Sequence, residues 1–172
     1  KDILFIPGVG TFGEGMSYLK DLGLDTVIKS HADKGGKIIG ICLGMQLLFC
    51  KSEESPLSEG LSFFEGICKK IPFSKNFSIP HIGWNSLKII DNNKNNLLKE
   101  FKTNSNISKF DYYFVHSFYA DPKNIDCIIA YFDHPEKDLT ASVQKDNIYG
   151  FQFHPEKSGK AGYLLLDKVL KI

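Results

Sequence analysis

Short, continuous apolar runs alternate with helix-spaced ones along the first third of the chain. Ile3-Leu4-Phe5-Ile6 is closed by Pro7-Gly8-Val9-Gly10, which predicts a buried strand over residues 2–6 ended by a turn. Residues 13–34 carry Met16, Leu19, Leu22, Leu24, Val27 and Ile28, mostly at helical spacing, and predict a helical segment. A second buried strand is predicted over 37–41, and a second helix from 43 to about 51. This β-α-β-α order argues for a parallel sheet covered by helices. Between 67 and 90, strand-like runs are broken by Pro72, Pro80 and Gly83. Residues 91–109 are rich in Asn and Lys, with one Leu97-Leu98-Phe101 patch, and are read as surface. Strands are expected at 112–119, 127–132, 139–143 and 148–153, then an amphipathic helix from about residue 160. No repeat or linker divides the chain, and 172 residues fit one domain with a sizeable core.

Composition narrows the function classes. A net charge of +1 gives no footprint for nucleic acid or an anionic membrane surface. No apolar run approaches the eighteen or so residues of a membrane span. The four cysteines, Cys42, Cys50, Cys68 and Cys127, form no CxxC pair, which fits a reducing, cytoplasmic setting and argues against a metal site or a disulfide framework.

Candidate chemistry begins at Gly40-Ile41-Cys42-Leu43-Gly44, where a strand meets a helix. This is the G-x-nucleophile-x-G form of a nucleophile elbow with Cys in the nucleophile position. Glycines relieve the crowding of the turn, and the first helical turn offers free N–H groups that would lower a thiol pKa. A small buried cysteine in a βα turn fits the segment equally well. A nucleophile needs a base and the base an orienter. Phe151-Gln152-Phe153-His154-Pro155-Glu156-Lys157 offers both, because residues two apart on extended chain point the same way. His134-Pro135-Glu136-Lys137 repeats the tetrapeptide in a polar setting that reads as a loop.

Taken together with Pro80-His81-Ile82-Gly83-Trp84-Asn85, Tyr113-Phe114-Val115-His116-Ser117 and the Pro7–Gly10 turn, these motifs span nearly the whole chain. In this order the sequence resembles the class I (triad) glutamine amidotransferases, most of all the glutaminase subunits of imidazole glycerol phosphate synthase. The resemblance implies a flavodoxin-like, doubly wound, mostly parallel α/β sheet. It also implies that the family's first βα unit is missing from residues 1–172, so that they form one N-terminally incomplete domain. Implied roles are Cys42 as nucleophile, His154 as base and Glu156 as its orienter, with Gly8, Val9, Gly10 and Leu43 supplying the oxyanion hole. Gly44, Gln46, Tyr113, His116 and Ser117 are implied to bind substrate. His81, Trp84, Asn85, Tyr113 and Lys157 are implied to face a cyclase partner, a (β/α)8-barrel synthase subunit in a heterodimer, that receives ammonia from L-glutamine. No cofactor is implied. Two other readings stay open: a paralogous glutaminase feeding the amination of a sugar in surface glycan biosynthesis, and a non-catalytic binding module.

Overall fold

The computed structural model describes residues 2–90, 96–103 and 111–171. Strand β1 (Ile3–Ile6) leads through helices α1 (Phe12–Asp21) and α2 (Leu24–Asp33) to β2 (Lys37–Ile41), helix α3 (Leu43–Leu47) and β3 (Phe49–Ser52). Then follow β4 (Phe64–Lys70), β5 (His81–Ile89), α4 (Lys99–Thr103), β6 (Asp111–His116) and β7 (Phe118–Pro122). β8 (Ile128–Phe132), β9 (Leu139–Lys145), β10 (Ile148–Phe151) and α5 (Gly159–Lys171) complete the order.

Seven strands form one sheet in the order β1-β2-β10-β9-β8-β5-β6, and β3-β4-β7 form a second, smaller sheet. In the large sheet β2 runs parallel to both β1 and β10, and the remaining neighbours pair antiparallel. The parallel part therefore carries the elbow, and the antiparallel part extends it into a curved wall. This is the α/β fold the motifs implied, with a large sheet that is mixed: parallel around β2 and antiparallel beyond β10. One apolar cluster includes Ile39, Phe114, Phe132, Phe151, Phe153 and Leu165; another, built on Ile38, Phe12, Met16, Met45 and Phe49, involves α1, α3 and the small sheet.

Three local expectations are corrected. The helical segment over 13–34 is two helices, because Gly23 takes φ +67° and turns the chain between them. The second helix stops at Leu47. Phe49–Ser52 instead pairs in parallel with β4, since a short apolar run serves either period and the neighbouring strand decides. Leu97, Leu98 and Phe101 are buried, not surface. Asn96 turns the chain inward there by donating to the carbonyls of Ile90 and Ile129 at 2.7 and 3.2 Å, while its own carbonyl accepts from Leu98 N–H. The rest of the polar stretch, 91–95 and 104–110, lies outside the described residues. Among the described residues no helix is long and apolar enough to cross a membrane.

Candidate active site

Cys42 stands at the C-terminal end of β2, the edge at which open α/β sheets place their ligands. Its backbone takes φ +54° and ψ −110°, a conformation that costs a non-glycine residue roughly 1–3 kcal/mol. Two hydrogen bonds hold it there. Cys42 N–H donates to Phe151 O at 2.8 Å, and its carbonyl accepts from Gln46 N–H at 3.2 Å. The flanking glycines are explained by crowding. A Cβ on Gly44 would sit 1.7 Å from Ile6 O, and one on Gly40 would sit 2.7 Å from Gly44 O. Helix α3 thus rests directly on the backbone of β1, which no side chain at 44 would permit.

His154 follows β10 and is pinned from both sides. Its N–H donates to Tyr113 O at 2.8 Å, and its carbonyl accepts from Ser158 Oγ at 2.6 Å. Ser158 Oγ in turn accepts from Tyr113 N–H at 3.0 Å. The His154 Nδ1 lies 2.6 Å from Glu156 Oε1. A carboxylate only accepts, so Nδ1 carries the proton and Nε2 presents a lone pair. That Nε2 is buried without a hydrogen-bond partner.

Both side chains line one cavity of about 280 Å³, with Val9, Gly10, Leu43, Gln46, Glu54, Pro80, Val115, His116, Ser117 and Phe118 completing its wall. Gly8 and Val9 border a second, adjoining hollow together with His154, Glu156 and Lys157. Val9 is 82% exposed and Gly10 takes φ +100°, so this loop projects free of the core. A thiol, an imidazole nitrogen without a hydrogen-bond partner and acceptor groups thus share one cavity, an arrangement that suits attack on a carbonyl of a small polar substrate.

The sequence profile described as "Glutamine amidotransferase class-I" matches residues 1–171. The chain belongs to that family. It is 44% identical over 174 residues to "Imidazole glycerol phosphate synthase subunit HisH 2" of Methanococcus maripaludis, covering 98% of this chain and 79% of that protein. It is 39% identical over 170 residues to the HisH subunit of Thermotoga maritima, covering 99% and 76%. The fold is shared with the crystal structure of a glutamine amidotransferase, at TM-score 0.67 and 14% identity over 97% of this chain and 78% of that one. It is shared as well with the glutaminase domain of Trypanosoma brucei CTPS bearing acivicin, at TM-score 0.62 and 18% identity over 99% and 71%. The chain is thus an enzyme of the class I glutamine amidotransferases.

In this amidotransferase the resting thiol departs from expectation. Burial, opposed by the Leu43 N–H, pushes Cys42 up to about 11. Nearby Glu156 raises it further, while Lys157 and the Gln152 amide act the other way. Desolvation wins because α3 has only five residues and the sulfur is enclosed. Cys42 therefore rests as a thiol and must hand its proton to a base in order to react.

Gln46 is more constrained than its position suggested. Its amide N–H groups donate to Phe118 O at 2.9 Å and Gln152 Oε1 at 3.1 Å, which leaves Oε1 as the atom to offer a ligand. Glu54, which the sequence reading passed over, lines the same cavity and accepts Phe12 N–H at 2.7 Å at the start of α1. Only its place in an acidic Ser-Glu-Glu-Ser run marked it, and such runs are usually solvated faces. His116 donates from Nδ1 to Phe118 O at 2.8 Å, and burial holds it near 3, permanently neutral. Ser117 lines the cavity; Gly44 and Tyr113 do not.

The residues assigned to a partner face divide. Trp84 is 57% exposed and meets Tyr113 edge-on at 5.8 Å, and Lys157 Nζ stands 6.0 Å from the Tyr113 ring centre. These three form one surface cluster, and Lys157 also borders the hollow lined by His154 and Glu156. His81 does not join them. It is buried and stacks on Phe132 at 5.5 Å, because alternation along β5 turns it inward. Asn85 likewise lies on the face away from Trp84 and donates to Asp133 O at 3.3 Å.

The second His-Pro-Glu-Lys is structural in its contacts. His134 Nε2 meets Pro72 O at 3.1 Å, its Nδ1 accepts Glu136 N–H at 3.2 Å, and its ring packs on Phe77. Both ring nitrogens are thus committed. Cys50, Cys68 and Cys127 each direct sulfur to a backbone carbonyl, and burial raises the last two above the ordinary thiol range. Among the described residues no His, Cys, Asp or Glu side chains group so as to hold a metal ion.

Proposed function

We propose that this chain is the glutaminase subunit of an imidazole glycerol phosphate synthase, hydrolysing L-glutamine to glutamate and ammonia through Cys42, His154 and Glu156. The observation that carries the reading is the partnerless His154 Nε2 in the cavity that Cys42 lines, with Nδ1 held by Glu156. In the first step His154 Nε2 takes the Cys42 proton as sulfur attacks the glutamine carboxamide carbon. The C–S bond forms as the C=O π pair moves onto oxygen. Leu43 N–H and an N–H of the Gly8-Val9-Gly10 loop hold that oxyanion. His154 then protonates the amide nitrogen, the C–N bond breaks, and ammonia leaves a thioester on Cys42. Water, deprotonated by the same imidazole, then adds to the thioester carbon; the C–S bond breaks, His154 returns the proton to the Cys42 sulfur, and glutamate leaves.

Substrate orientation follows from acceptors. Gln46 Oε1 and the Glu54 carboxylate complement the α-ammonium of glutamine, and Ser117 and His116 complete the enclosure. Released ammonia is a nucleophile only while unprotonated, so it is used best by direct transfer. Trp84, Tyr113 and Lys157 mark the face for the cyclase subunit that consumes it; their exposure and contiguity support this, as do the HisH names of the relatives. The Gly8–Gly10 loop is the switch in this reading, turning an N–H toward the oxyanion when the partner is engaged and loaded. Completing such a hole is worth about 10²–10³ in rate.

The test is steady-state glutaminase activity of the full-length subunit alone, with the cyclase, and with the cyclase plus its acceptor ligand. Low activity alone and stimulation of about a hundredfold or more in the loaded complex are expected. Equal rates in all three would reject the switch, and no glutamine hydrolysis in any of them would reject the function.

A further inference from the structure

Gln152 is a fully buried polar residue between Phe151 and Phe153, both also fully buried, and the reaction scheme above does not use it. A glutamine in such a place is costly unless its amide is satisfied. Its backbone N–H donates to Ala141 O at 2.9 Å, so the main chain is provided for by the sheet. Its side chain faces the site. Oε1 accepts from Gln46 Nε2 at 3.1 Å, and Nε2 donates toward Cys42 Sγ at 3.9 Å. The register explains the placement, since Phe151 pairs with Ile41 and Cys42 N–H bonds Phe151 O, which sets residue 152 abreast of the nucleophile.

The geometry points to Gln152 as a positioning residue that ties the substrate-facing Gln46 to the Cys42 sulfur through one amide. The proposal rests on the reading of Cys42 as nucleophile and goes beyond it. The amide does two things at once. Its carbonyl occupies a Gln46 N–H and so turns Gln46 Oε1 toward the cavity. Its N–H meets the sulfur and strengthens as charge develops there, because hydrogen bonds to an ionised acceptor are the stronger kind. Val115 O, 3.8 Å from the same sulfur, can only accept and so favours the thiol form. Leu43 N–H and Lys157 act with Gln152 on the thiolate, and Glu156 and burial act against it. His154, on the same cavity wall, is the proton acceptor in the reaction. Methionine at 152 would keep the volume and lose both hydrogen bonds. Glutamate would keep the acceptor and face the sulfur with an anion.

The pH profile of Cys42 alkylation by iodoacetamide, followed by peptide mass spectrometry, reads the thiolate without requiring turnover. Gln152→Met is expected to move the inflection upward by about one pH unit, the effect of losing one hydrogen bond to a charged group. Gln152→Glu should move it further. In the loaded synthase, kcat for glutamine should fall about tenfold, and KM should rise because Gln46 is released. A purely structural role would lower the melting temperature and leave the inflection in place; an unmoved inflection in a folded variant overturns the proposal. The unsubstituted protein gives a second reading that needs no variant to fold. The side-chain amide resonances of Gln152, assigned by nuclear Overhauser contacts, should titrate with the Cys42 thiol and lose that titration in Cys42→Ala. Absence of that titration also overturns it. A Cys42 that alkylates with unchanged pH dependence counts against Gln152 alone. Full glutaminase activity in Cys42→Ala counts against the nucleophile itself.

Discussion

Gly44→Ala is the most informative single methyl that can be added to this protein. Its Cβ would lie 1.7 Å from Ile6 O and 2.7 Å from Ile6 C, both backbone atoms that cannot rotate away. Carbon contacts settle near 3.5–4.0 Å, so α3 and β1 would have to part by roughly 1.5 Å or more. Overpacking usually costs about 1–3 kcal/mol, and backbone against backbone belongs at or above the top of that range. At roughly 2–4 °C per kcal/mol for a chain of this size, the melting temperature should fall by about 6–12 °C. Catalysis should suffer separately, because α3 carries Leu43 N–H and Gln46. A displacement of about 1 Å in a catalytic array is worth around a hundredfold in rate. Gly23→Ala is the control. It has φ +67° and nothing within 4 Å of its Cβ, so it should cost only about 1 kcal/mol of strain and leave kcat unchanged. Thermal denaturation and glutaminase assays on the loaded synthase would measure both. If Gly44→Ala melts within 2 °C of the unsubstituted protein and retains at least half its rate, about, the crowding argument for the elbow fails.

His154→Ala should reduce glutamine hydrolysis by about 10²–10⁴, and Glu156→Gln by less, since an amide oxygen can still accept from Nδ1–H; a kcat comparison in the complex checks the order. His134→Ala should leave kcat unchanged and destabilise the fold by about 2–3 kcal/mol in urea titration, because two hydrogen bonds and the Phe77 contact go together. Trp84→Ala should weaken the complex with the cyclase by about 2 kcal/mol or more by calorimetry, leaving the unstimulated glutaminase rate as it was.

Much of this site could be read before any coordinates, for specific reasons. Residues 37–41 show an uninterrupted apolar strand, and a cysteine between two glycines follows directly, so the elbow's position rests on local pattern alone. The two His-Pro-Glu-Lys copies differ in what flanks them, Asp138 following one and Ser158 the other. Phe151-Gln152-Phe153 announces a buried strand, Tyr131-Phe132-Asp133 a strand running out into a loop, and the structure commits both His134 nitrogens to main chain. What stayed hidden depends on three dimensions. Phe49–Ser52 becomes a strand only because β4 lies beside it. Leu97, Leu98 and Phe101 are drawn inward by Asn96, whose bonds to Ile90 and Ile129 have no sequence signature. The expected lowering of the Cys42 pKa failed because enclosure is a sum over many neighbours, whereas an N–H at a helix start is visible locally. Glu54 and Gln152 look like a solvated acid and a strand filler until the cavity and the sulfur are placed beside them.

The central claim is that Cys42 is the thiol activated by His154 for attack on a glutamine carbonyl. Incubating the loaded synthase with a chloroketone analogue of glutamine, then mapping adducts by mass spectrometry, tests it most directly. One adduct per chain on Cys42 is predicted, slowed severely by His154→Ala, unaffected by His134→Ala and blocked by excess glutamine. Modification of Cys50 or Cys127 in its place, or labelling of Cys42 that neither glutamine nor His154→Ala diminishes, would contradict the account.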